Sequence, residues 1–124
     1  MEIINQISYD IIGASFKVHS TLGPGLLEST YEVCLEYELI KIGYKAERQK
    51  PLPVSDDGVR LDAGYRIDLL VEDSVIVELK SVNEMIPLYK AQLMTYLKLA
   101  ELKLGLLMNF NVTDMKKGIT RIVM

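Results

Sequence analysis

The chain has 124 residues, about half of them apolar and a quarter charged, with a formal net charge of −3. That length and balance fit one domain, residues 1–124, with enough interior for a core. The acidic sign argues against the uniformly basic face of an architectural DNA binder, whose affinity comes from neutralising phosphates.

The single cysteine, Cys34, allows no intrachain disulfide, and one histidine without any CxxC pair argues against structural zinc. No apolar run has the length of a membrane span, and the acidic, isoleucine-rich start lacks the basic region of a signal peptide. The expectation is a cytoplasmic chain with no membrane partner.

Ile4, Ile7, Ile11, Ala14 and Val18 recur at helical spacing, which predicts an amphipathic helix over residues 2–21. The LGPG stretch at 22–25 ends it. A second helix is expected from about Leu26 to Ile42, burying Leu27, Tyr31, Cys34, Leu35, Leu39 and Ile42, with Gly43 as its cap. From Tyr44 to Val54 the pattern is extended, and Pro51 and Pro53 suit an edge strand. Asp56-Asp57-Gly58 reads as a turn, and the following strand ends near Val71. Glu72-Asp73-Ser74 turns the chain into a strand from Val75 to about Lys80. Pro87 suits the first turn of a third helix over roughly 87–102, striped by Tyr89, Leu93, Tyr96, Leu97 and Ala100. LGLLMNF at 104–110 is a short apolar strand, and Ile119 to Val123 adds a last edge strand. The order ααβββαβ(β) is that of an α/β domain with a mixed sheet.

Three charges interrupt the oily hairpin YRIDLLVEDSVIVELKSV. Strand side chains alternate between faces, so Ile67, Leu69 and Val71 point one way and Arg66, Asp68 and Leu70 the other. On the partner strand Ile76, Glu78 and Lys80 share a face. A three-residue loop at 72–74 sets Asp68 directly across from Glu78, with Lys80 one step along. Like charges placed opposite each other destabilise a strand pair, and burying them unpaired costs several kcal/mol more. A divalent cation between them removes both penalties. Mg²⁺ takes one or two carboxylates together with waters and phosphate oxygens, and a neighbouring lysine then suits metal-assisted phosphodiester hydrolysis. The alternative is an ion-paired hairpin in which Lys80 neutralises Glu78 or Asp68.

Gly25-Leu26-Leu27-Glu28-Ser29-Thr30-Tyr31 is a GxxExxY motif, preceded by Leu22-Gly23-Pro24 and followed by the Asp68…Glu78-Leu79-Lys80 pair. Together these resemble the GxxExxY protein family, a branch of the PD-(D/E)XK nuclease superfamily, over nearly the whole chain. The resemblance implies a restriction-endonuclease-like core, a mixed central sheet flanked by helices. It also implies metal-ligating Asp68 and Glu78, aided by the Leu79 carbonyl, with Lys80 as catalytic lysine. Glu28 would be the helix-borne acid that some branches add to the metal shell. Gln92, followed by Tyr96, resembles the QxxxY motif of RecB-like members; Tyr89 stands where a histidine is expected, three positions before the glutamine. The implied cofactor is Mg²⁺, with Mn²⁺ as a substitute, and the implied substrate is DNA or RNA.

Each residue also has a plainer reading. Glu28 falls in the first turn of a helix, where a carboxylate complements the dipole. Tyr31 belongs to the buried stripe, its hydroxyl positioning a neighbour, and Gly25 is a backbone device. Gln92 orients a site water or nucleic-acid group, or else satisfies a loop carbonyl. His19 reads as an interhelical hydrogen bonder or surface residue, and Cys34 as core. Lys45, Arg48, Lys50, Arg60 and Arg66 form a basic rim or are scattered solvated charges. The sequence thus leads to a Mg²⁺-dependent nuclease. The alternative is a non-catalytic nucleic-acid or protein-binding adaptor on the same fold, completed by a protein partner or a second copy.

Overall fold

The computed structural model describes residues 2–124. Two helices open the chain, α1 (Glu2–Leu22) and α2 (Glu28–Lys41). Strand β1 (Ala46–Pro51) precedes a small hairpin of β2 (Val54–Asp56) and β3 (Val59–Leu61). Then come β4 (Arg66–Val71), β5 (Val75–Lys80), α3 (Pro87–Ala100), β6 (Leu104–Asn109), a single 3₁₀ turn (Met115–Gly118) and β7 (Ile119–Val123). The main sheet runs β1-β4-β5-β6-β7. Only β5 and β6 are parallel, joined through α3; the other neighbours are antiparallel. This is a mixed five-stranded sheet with three helices, an α/β architecture consistent with a PD-(D/E)XK nuclease-like fold.

The apolar periodicities explain the layers. Ile7, Ile11, Ala14 and Val18 of α1 and Tyr31, Leu35 and Leu39 of α2 pack on Leu69, Val71, Val77, Leu79, Leu106 and Met108. The opposite face of the sheet carries Leu70, Ile76 and Leu107 against Leu93, Tyr96 and Leu97 of α3. Gly105 lets α3 sit close: a Cβ there would meet the Leu93 side chain at 2.9 Å. No helix among the described residues is long and apolar enough to cross a membrane.

Three expectations need correction. The strand read as running unbroken to Val71 is two, because Gly64 turns the chain at φ +83° between β3 and β4. Leu27 and Ile42 are exposed rather than buried, since they flank α2 as its two caps. Ile67 packs with Leu70 and Ile76, not with Leu69 and Val71, so the alternation of β4 slips at Asp68. The slip coincides with a gap in the sheet. Arg48 pairs with Leu69 and Lys50 with Ile67, leaving Gln49 opposite Asp68 without a ladder pairing. The β4–β5 ladder likewise stops at Leu69↔Val77, one step before Asp68 would face Glu78.

Candidate active site

The gap at Asp68 is filled by side chains. Asp68 N–H donates to Glu78 Oε2 at 2.8 Å, and Leu79 N–H donates to Asp68 Oδ2 at 3.0 Å. Each carboxylate therefore caps the other strand's backbone where the ladder has lapsed. The pairs from Val71↔Val75 to Leu69↔Val77 are those a three-residue loop requires, and the two acids lie one step beyond the last of them. That loop turns through Glu72 and Asp73, both in the left-handed region, and closes with Ser74 N–H on Val71 O at 3.0 Å.

Glu78 is only 5% exposed. Burial, reinforced by the Asp68 charge, pushes its carboxyl up to about 8. Burial also raises Asp68, opposed by the Leu79 N–H and by Lys80, with Glu28 adding negative charge from α2. Such displacement of neighbouring carboxyls is common at sites that do chemistry. Tyr96 of α3 is raised by its own burial and then by Glu78 and Asp68, which places that helix within reach of the pair's field.

Lys80 makes no ion pair among the described residues. Its Nζ stands 4.5 Å from the centre of the Tyr89 ring, a cation–π arrangement. Lys80 therefore does not form the direct ion pair that the hairpin alternative required. The aromatic residue found in place of the expected histidine serves as a rest for the lysine.

The GxxExxY segment sets the entry to α2. Gly23 and Gly25 both lie at positive φ, +73° and +94°, where a side chain would be strained. The Tyr31 hydroxyl donates to Gly23 O at 2.6 Å and accepts from Leu26 N–H at 3.1 Å, while its ring stacks on Phe110 at 4.5 Å. Ser81, next after Lys80, donates to Leu26 O at 2.6 Å. The loop before Glu28 is thus tied to the end of β5 that carries Glu78 and Lys80. Beside it opens a cleft of about 640 Å³ lined by Leu26, Leu27, Thr30, Ser81, Asn83 and Asn111. The Asn109 side chain organises its far wall, holding both Val82 backbone groups and the Asn111 N–H.

Gln92 is exposed and reaches the Tyr96 hydroxyl at 3.5 Å, so its link to the acids runs through that tyrosine rather than a loop carbonyl. His19 bonds Val112 O at 2.7 Å, outside the site. Cys34 is half-buried beside the core. Of the basic rim, Lys45, Arg48, Lys50 and Arg60 are each paired with a nearby acid, and the Arg66 guanidinium turns back to Tyr65 O.

Two residues of the site were missed in the sequence. Glu32, one turn after Glu28, is 4% exposed and accepts from Arg48 Nε at 3.1 Å and Gln49 Nε2 at 2.9 Å. Its spacing to Leu35 and Leu39 puts it on the buried stripe of α2, and that spacing was the available signal. Gln49 carried none.

The family model of the PD-(D/E)XK nuclease superfamily matches residues 5–122. The chain belongs to that superfamily. No curated protein and no solved structure gives a significant match. Membership suggests nuclease activity on nucleic acid and, as is general in the superfamily, use of a divalent metal. Among the described residues no group of three or more His, Cys, Asp or Glu side chains is placed to hold a metal ion. The pair that is present still fits one: two hard carboxylates from adjacent strands, both penalised for burial in the charged form, match the one or two carboxylates that Mg²⁺ takes from protein.

Proposed function

We propose that this chain is a divalent-metal-dependent nuclease of the GxxExxY branch, a single nuclease-like domain that hydrolyses phosphodiester bonds in DNA or RNA. The observation that carries the reading is the Asp68–Glu78 pair, each acid bonded to the other strand's backbone, beside a lysine free of any ion pair. Asp68, Glu78 and the Leu79 carbonyl would hold Mg²⁺, for which Mn²⁺ substitutes, with Glu28 adding negative charge from α2. When bound, the cation supplies Lewis-acid polarisation of a phosphoryl oxygen.

The side chains do the rest. Asp68 and Glu78 would hold the cation at the strand ends, where the reacting phosphate has to sit. The Lys80 ammonium, resting on Tyr89 rather than locked to an acid, is available to the charge that develops on the phosphoryl oxygens. Tyr31 holds the Gly23–Leu26 loop so that Glu28 enters α2 at the same edge. Gln92 braces Tyr96 beneath the acid pair.

The test is cleavage of single-stranded, duplex and structured DNA and RNA with Mg²⁺ or Mn²⁺. Wild type should cleave at least one class. Asp68→Ala and Lys80→Ala should each lose about 100-fold or more in rate while keeping the wild-type circular dichroism spectrum. A wild type that cleaves none of these substrates refutes the proposal and leaves a binding module.

A further inference from the structure

The residue facing Asp68 across the other ladder is Gln49, and its backbone is unusual. Among the described residues, five other than glycine lie at positive φ; Asp57, Glu72, Asp73 and Glu101 occupy turns or a helix end, whereas Gln49, at φ +53°, lies inside a strand. That region is costly for a glutamine and persists only where neighbours impose it. Its side chain is held. Gln49 Nε2 donates to Glu32 Oε1 at 2.9 Å, and the same oxygen takes Arg48 Nε at 3.1 Å. Glu32 in turn lies on the buried stripe of α2, among Tyr31, Leu35 and Leu39, where an apolar side chain would complete the packing.

We infer that Glu32 and Gln49 form a clamp that fixes the position of the Asp68 carboxylate. Glu32 is the anchor in the helix layer, and Gln49 is the positioning residue in β1. Gln49, held by Glu32, occupies the register position facing Asp68 on the side opposite Glu78, so one row across three strands reads Gln49, Asp68, Glu78, with both ladders open at its centre. On the β1 flank Asp68 has no ladder pairing of its own, and a fixed Gln49 bounds it there. Partners that orient a ligating carboxylate in this way act on affinity and rate without touching the reacting atoms.

The inference rests on the metal-site reading above, and its test separates the two. Mn²⁺ affinity by calorimetry and steady-state cleavage would be measured for wild type, Gln49→Gly, Glu32→Leu and Glu32→Gln. Glycine accepts φ +53° without strain but carries no amide, so Gln49→Gly should fold and melt near wild type. It should bind Mn²⁺ about tenfold or more weakly and lose kcat with little change in KM. Glu32→Leu should match it. Glu32→Gln keeps an acceptor oxygen for Gln49 and should stay close to wild type on both readouts.

The clamp is overturned if Gln49→Gly binds Mn²⁺ like wild type, or if Glu32→Gln falls as far as Glu32→Leu. Should Glu32→Leu fail to fold, the exposed Gln49 side chain still decides the matter. A wild type that binds Mn²⁺ but cleaves nothing ends the nuclease reading alone, and the affinity ratios still judge the clamp. A wild type that binds no Mn²⁺ overturns both.

Discussion

Replacing Glu78 with glutamine in metal-free protein tests the electrostatics of the site directly. The folded carboxyl keeps its proton to about 8, against an ordinary value of 4.5. Between those values the folded state binds more protons than the unfolded chain, so stability falls as pH rises through that window. At about 1.4 kcal/mol for each pH unit of displacement, the full loss is on the order of 5 kcal/mol, of which about 3 kcal/mol has accrued by pH 7. Glu78→Gln never ionises, and its amide oxygen still accepts the Asp68 N–H that Glu78 Oε2 now takes. Urea unfolding in a chelator should therefore show the variant about 3 kcal/mol more stable than wild type at pH 7. The two should converge at pH 4.5 and below. Saturating Mg²⁺ should raise wild-type stability through binding to the folded state and leave the variant nearly unmoved. A variant that is no more stable than wild type at pH 8 in chelator would refute the claim that the two acids burden the metal-free fold.

Two further predictions concern the scaffold. Tyr31→Phe keeps the stack on Phe110 but loses both hydroxyl bonds to the glycine loop, and should cost about 1–2 kcal/mol in denaturant unfolding; an unchanged midpoint would mean the loop holds itself. Gly118→Ala drives a Cβ into the Asn109 carbonyl, a backbone atom that cannot swing aside. It should lower stability by about 2 kcal/mol or more, read as a drop in melting temperature, and a wild-type melting temperature would refute it.

The elements that carry strong periodicity were legible. Ile7, Ile11, Ala14 and Val18 announced α1, and the strict alternation of Val75, Val77 and Leu79 announced β5 together with the face that bears Glu78. The three-residue loop between the two strands set the register of Leu69, Leu70 and Val71 against Val77, Ile76 and Val75, one step short of the two acids, because Glu72, Asp73 and Ser74 are turn formers between two apolar runs. Pattern reading fails where a tertiary contact overrides local preference. Gln49 has no propensity for left-handed backbone and adopts it only because Glu32 arrives from another layer. Glu32 was passed over in the sequence, although its spacing to Leu35 and Leu39 directs it inward. Ile67 changed face because the pleat breaks at Asp68, and no alternation rule includes a break made by side chains replacing a ladder. Lys80 follows Glu78 by two along β5, as its spacing shows, but its rest on Tyr89 depends on where α3 docks.

Because the hydrogen-bond ladders on both flanks of Asp68 lapse together, this one residue is a gap inside an otherwise paired strand, with Ile67 still laddered to Lys50 and Leu69 to Arg48 and Val77. The Asp68 amide is guarded by the Glu78 side chain alone, so amide exchange there reports on how that one carboxyl is held, while the paired run from Leu69 to Val71 stays quiet.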